Sequence, residues 1–322
     1  MPAVNRGKLA SWSYYPADVD SADSNALPWW QRINRKLAKT CESVAADAIC
    51  SPIKIPKIFD DNYYAMAVKV AEDLQSKAGK EVLLTIVAGF ADLTQTDRAM
   101  RIASIASRFN GERAYLVFLG MTEPRRELPD AAEIVGGMEL ISALEEAGLH
   151  VTVGFSSSDL LLWKYAGATA CATGKFFNLR RFTRSRFDEP KESGGKQSEY
   201  WFEEGLLAFL RQSDLLRLRR LKAPVFGEAS DENPFCGQIL ENLSSDAPRR
   251  WLSLGWRQFL YWFADIEKRV TGGEANVRDV LLTADNNWRT VSKSKIYMSE
   301  RENDGAWIRE WLNAIEDFDR SK

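Results

Sequence analysis

Between residues 81 and 173, four strand-like runs alternate with three helical ones, and no other feature of the sequence constrains the fold so tightly. Residues 81–88 (EVLLTIVA) are a compact, β-branched apolar run of strand length. Residues 96–109 follow with Met100, Ile102, Ala103 and Ala106 at helical spacings, closed by the stop Asn110-Gly111. Residues 114–120 (AYLVFLG) form the next predicted strand. A helix over 130–147 then carries Ile134, Met138, Ile141 and Leu144 on one face and ends at Gly148. A strand over 149–155, a short helix over 158–165 and a strand over 168–173 complete the series. Strands separated by single helices pair in parallel through right-handed crossovers.

The same grammar continues upstream in a weaker form. A helix is expected over 27–44, with Trp30, Ile33, Leu37 and Cys41 at steps of three and four. A buried strand over 45–49 and a helix over 63–74 follow, and residues 8–15 suit a first strand. These runs predict an α/β fold: a parallel βα-repeat domain, TIM-barrel-like, over residues 1–187. Six strands by residue 174 leave little room for the two more that a closed barrel needs, so the expected barrel can be incomplete. The alternative is a doubly wound open sheet, although no dinucleotide fingerprint is present.

Residues 188–199 are polar and glycine-containing and read as a linker. From residue 200 to 322 the pattern predicts an α-helical C-terminal region, with helices over 200–221, 251–270 and 307–318. Seven of the eleven tryptophans lie at or after position 201. Such a tail packs on its own domain or docks a protein partner.

Composition removes several classes of function. A chain of 322 residues with 45% apolar and 27% charged residues is not generally disordered. No apolar run approaches the twenty or so residues of a membrane span, and no basic start leads into an apolar stretch, so a cytoplasmic protein with no membrane partner is expected. Four cysteines without ligand or pairing spacing read as buried, reduced thiols. His150 is the only histidine, and it falls at a helix-to-strand turn, opposite the active face of a parallel sheet. Histidine-based nucleophile activation and multi-histidine metal sites are thereby removed. Acid–base chemistry falls to carboxylates, lysines, a tyrosine or a bound metal.

In parallel α/β folds, functional groups leave the C-terminal ends of strands. That rule selects Asp92, Glu123 and Asp159 as candidate catalytic carboxylates, with Asp47 a less certain fourth. Two of them could act as acid and base on a glycosidic bond, or hold magnesium beside a phosphate. Ser156, Ser157 and Ser158 open a helix, where free N–H groups favour an anion. Gly174, Lys175, Asn178, Arg180 and Arg181 follow the next strand, so these two loops resemble the phosphate cradle of barrel folds. Residues 175–222 hold 12 lysines and arginines against 7 acids, interleaved with phenylalanines. Arg184, Arg186, Arg217, Arg219 and Arg220 are therefore candidate nucleic-acid contacts.

Two functions fit this pattern. In the first, a phosphate-binding α/β protein acts on or binds a nucleotide or nucleic acid, using carboxylate and lysine chemistry. In the second, a non-catalytic subunit of a nucleic-acid-handling complex grips phosphate backbone through residues 175–222. Its helical tail docks the protein partner.

Overall fold

The computed structural model describes residues 27–175, 179–187, 198–220, 232–246, 249–300 and 303–322. The strand expected over 8–15 and the candidate Asn178 lie outside them. In chain order, α1 (Leu27–Ser43), β1 (Ala48–Cys50), α2 (Asp61–Gln75) and β2 (Glu81–Gly89) come first. Then follow the short α3 (Phe90–Leu93), α4 (Arg98–Ala106), β3 (Arg113–Gly120) and α5 (Ala131–Glu146). The repeat ends with β4 (His150–Gly154), α6 (Leu160–Tyr165) and β5 (Ala170–Cys171). The helix starts are locally encoded: the Asp60 carboxylate accepts the Tyr63 N–H at 2.8 Å, and Asp130 accepts that of Glu133 at 3.0 Å.

The five strands pair in parallel in the order β1-β2-β3-β4-β5. A doubly wound sheet would reverse direction at a switch point, and this one does not. Sequential order with one crossover hand puts every helix on the same face. Accordingly α2, α4, α5 and α6 pack side by side in one layer, with α1 outside α2. The arc stops at β5 and does not return to β1, so the sheet follows barrel grammar without being a closed barrel.

Strand pleating divides the arc into two faces. Leu84, Ile86, Leu116, Phe118, Val151 and Val153 are buried towards the helices, where Phe118 stacks on Phe90 at 4.8 Å and meets Trp163 at 4.9 Å. The opposite face carries a polar rung, Thr85-Tyr115-Thr152-Ala170, in continuous register. Beyond the end of β4, Phe155 takes a positive φ of 59° and turns the chain away. A two-residue strand, β6 (Phe182–Thr183), then occupies the vacated edge of β3, pairing Leu119 with Phe182 and Gly120 with Thr183.

The C-terminal region is helical apart from its start. Residues 200–211, expected as helix, instead form an antiparallel pair, β7 (Tyr200–Glu203) and β8 (Ala208–Arg211). Phe202, Leu206, Phe209 and Leu210 mimic helical spacing, but Leu207 adopts a left-handed φ of 51° that ends any helix there. The helices α7 (Gln212–Arg220), α8 (Pro234–Leu243), α9 (Leu252–Thr271), α10 (Val277–Lys293) and α11 (Ala306–Ser321) follow. They share one hydrophobic core with the βα repeat: α11 packs on α5, α9 on α6, and the Trp311 indole donates to the Leu128 carbonyl at 2.9 Å. The four cysteines are free, as expected, but only Cys171 and Cys236 are buried, and Cys50 at the end of β1 is exposed.

Helix α5 approaches α3 at backbone distance. A Cβ on Gly136 would stand 2.3 Å from the Leu93 carbonyl oxygen. Alanine gains about 1 kcal/mol of helix propensity over glycine, whereas overpacking costs about 1–3 kcal/mol and here meets unyielding backbone. Gly136→Ala is therefore expected to lower the urea midpoint. An unchanged or raised midpoint would show that α3 and α5 do not meet at this point.

Candidate functional site

The C-terminal edge of the sheet holds two different environments. Above β3, β4 and β5 lies a closed one. Arg180 and Arg181, just before β6, reach back over the strand ends. The Arg180 guanidinium bonds Glu127 Oε1 at 2.5 Å and Ser157 Oγ at 2.6 Å. Arg181 bonds Glu127 Oε2 at 2.9 Å and Asp159 Oδ2 at 2.5 Å, and the other Asp159 oxygen accepts the Ser157 N–H at 2.6 Å. Arg180 also lies 4.1 Å above the Phe209 ring centroid, so β8 roofs the network.

Two cations and two carboxylates thus neutralise one another away from water. Arg180 and Ser156–Ser158 are at most 1% exposed, and Asp159 3%. Burial pushes the Asp159 carboxyl up, against the opposing pull of Arg181. Burial likewise pulls Arg180 down, with Glu127 holding it charged. The Ser158 hydroxyl and Arg181 Nε are buried here with no hydrogen-bond partner among the described residues. The expected phosphate residues Ser156, Ser157, Ser158, Arg180 and Arg181 are thus gathered in one place, with carboxylate oxygens already on the guanidiniums. Helix α6 is six residues long, and Ser157 N–H is turned to Asp159. Gly174 borders a separate small cavity of about 120 Å³ with Tyr115, Phe155 and Leu179, and Lys175 is exposed beside it in sequence.

Above β1 and β2 the edge is open. A cavity of about 430 Å³ is bounded by Phe59, Asp60 and Asp61 after β1, and by Asp92, Arg98 and Arg101 after β2. Asp61 bridges the two guanidiniums, at 2.8 Å from Arg98 and 2.5 Å from Arg101. The hydrogen bond from Arg101, then that from Arg98, holds the Asp61 carboxyl below its usual range. Arg98 is itself buried, donating to the Phe59 carbonyl at 2.5 Å and standing 5.4 Å from the Tyr64 ring centroid. Asp60 is spent on the α2 cap. Asp92 sits on α3, directly after the end of β2, and none of the described residues donates to its carboxylate. The loop between β1 and α2 also carries Lys54 and Lys57, and Arg184 donates to its Pro56 carbonyl at 2.8 Å.

The three candidate catalytic carboxylates are therefore apart: Asp92 in the open cavity, Glu123 exposed on the loop after β3, and Asp159 in the closed network. Among the described residues no three His, Cys, Asp or Glu side chains gather as a metal cluster. Asp47 precedes β1 and so belongs to the opposite end of the sheet from the mouth, because the strand starts later than its apolar pattern suggests. His150 opens β4, 3.6 Å from Glu145, at that same far end as expected. Arg217, Arg219 and Arg220 are exposed on α7, and the side chain of Arg186 lies outside the described residues. Sequence reasoning missed Asp61, Arg98 and Arg101, although the three-residue spacing of the two arginines places them on one helix face.

No family model, curated protein or solved structure matches this chain.

Breaking a buried ion pair on one side costs about 3–5 kcal/mol, since a charge is left uncompensated. Arg180→Met should destabilise by that order, and Glu127→Gln similarly. Their combination should cost distinctly less than the sum, because the second change removes the orphaned charge. Denaturant titration of the four proteins reads this coupling. Strict additivity would mean that Arg180 and Glu127 do not depend on each other.

Proposed function

We propose that this chain binds a phosphorylated ligand of the nucleotide class in the open cavity above β1 and β2. The observation that carries this reading is that one cavity of about 430 Å³ holds Asp92, which accepts from none of the described residues, together with the guanidiniums of Arg98 and Arg101. That volume lies in the range of small-ligand pockets, about 300–1,000 Å³, at the strand ends where parallel sheets hold ligands. The exposed Arg101, together with Lys54 and Lys57 on the adjoining loop and Arg184 bonded to that loop, suits phosphate oxygens. Asp92 suits a sugar hydroxyl or an amino group, and chemistry on the ligand would run through its carboxylate as base or magnesium ligand. Phe59 and the well-exposed Ile58 offer an apolar wall for a flat ring.

The buried arginine network is a less favourable phosphate site, because an incoming anion would have to displace Glu127 or Asp159. The subunit reading keeps its basic stretch, but the docking role given to the tryptophan-rich tail gains no support. All seven tryptophans from Trp201 onward are at most 7% exposed and pack inside this chain.

Titration with a fluorescently labelled nucleoside triphosphate across a salt series tests the reading. Arg101→Ala should weaken binding several-fold and flatten its salt dependence. Asp92→Asn should weaken it by about tenfold or more, the scale of one hydrogen bond to a charged group. Absence of binding at low salt, or wild-type binding by both variants, would sink the proposal.

A further inference from the structure

Away from the cavity, the segment Tyr297–Glu300 runs antiparallel along α7. Arg211 bonds Glu300 at 2.9 and 2.7 Å, Asp214 accepts the Ser299 N–H at 2.9 Å and its hydroxyl at 2.7 Å, and Arg217 donates to the Tyr297 carbonyl. On the other side, Ile296 is buried in the core and Met298 packs against it. The backbone at Tyr297 is therefore tied down from both flanks, yet its side chain is 78% exposed. A tyrosine held by its backbone and offered to water by its ring is preorganised for contact, with little conformational freedom left to lose on binding.

Among the described residues, two acids of this surface are engaged: Asp214 is buried on Ser299, and Glu300 is held by Arg211. The exposed cations are Arg217, Arg219 and Arg220 on α7, with Lys293 and Lys295 just before Tyr297. Lys295, at a left-handed φ of 54°, turns the chain out of α10 two residues before Tyr297.

We propose that α7 and Tyr297 form a platform for single-stranded nucleic acid, with a base stacked on the Tyr297 ring and phosphates taken by Arg217, Arg219, Arg220 and Lys295. A ring flanked by arginines matches a strand in which bases and phosphates alternate. The strand must be single, because a duplex keeps its base faces stacked away from a side chain. The platform stands on contacts separate from the Asp92 cavity. At its near end, Arg125 from the loop after β3 acts electrostatically on Tyr200, which also bonds Glu300 at 3.3 Å. The surface therefore adjoins the loop after β3.

The experiment is anisotropy titration of the full chain with labelled oligo(dT), oligo(U) and a duplex of equal length, across a salt series. Single strands should bind more tightly than duplex. Tyr297→Ala should weaken single-strand binding about 5- to 30-fold with an unchanged salt slope, since stacking carries no counterion release. Tyr297→Phe should restore it to within about twofold, because the face of the ring and not its hydroxyl does the stacking. The pair Arg219→Ala and Arg220→Ala should weaken binding and reduce the salt slope by about 1–2. Equal binding of duplex and single strand, indifference to Tyr297→Ala, or no binding at low salt would each overturn the proposal. Indifference to Tyr297 with an intact arginine effect would point instead to an acidic protein partner. The nucleoside triphosphate titration reports the cavity separately, so either reading can fail while the other stands.

Discussion

The buried pairing of Arg180 and Arg181 with Glu127 and Asp159 organises the rest of the molecule. A parallel arc that does not close has an unfinished C-terminal edge, where strands stop and carbonyls need partners. Here one segment after β5 returns across that edge and is fastened at both arginines. Glu127 comes from the loop after β3, Asp159 and Ser157 from the loop after β4, and the Phe209 ring from the C-terminal pair of strands. One cluster thus joins three strand ends to the helical region. No member can be removed without leaving a charge in a dry setting, so these contacts specify the arrangement more than they add net stability.

The clasp also explains why the two halves of the edge differ. Where Arg180 and Arg181 lie, serines and carboxylates that would suit a ligand are consumed by the protein itself. Above β1 and β2 none of the described residues returns to do this. There Arg101 and Asp61 remain partly exposed, their pairing is screened by water, and Asp92 has no donor among the described residues. A ligand can compete with a screened surface pair far more easily than with a buried one. The proposed ligand site therefore falls in the open half.

The fold was largely legible because its signals are local. Strand β2 and helix α5 follow from apolar spacing, and Asp60 and Asp130 mark helix starts within three residues of the N–H groups they accept. Residues 200–211 defeated the same logic, because Phe202, Leu206 and Phe209 satisfy helical spacing while the turn at Leu207 is not encoded by a glycine at that position. The site was legible only in part. The rule that strand ends carry function found Asp92, Ser157 and Arg180, yet it could not say which would be free to act. Arg181 meets Glu127 across 54 positions and Asp159 across 22, so its neutralisation is a property of the tertiary fold alone. Tyr297 carried no periodic or charge signal of its own.

A count of cations along the chain therefore measures opportunity and not function. Residues 175–222 carry a basic excess in sequence, but the fold sorts their arginines by the water around them. Arg180 and Arg181 enter the interior, where a guanidinium must find a carboxylate, and both do. Arg184 and Arg211 are used to hold loops through Pro56 and Glu300. Arg217 does both, tethering the Tyr297 backbone while keeping much of its side chain in water. Arg219 and Arg220 are exposed in the last turn of α7, where the negative end of the helix dipole stabilises them. Solvent exposure is the variable that makes one residue type a structural fastener at one end of this stretch and leaves it at the water interface at the other.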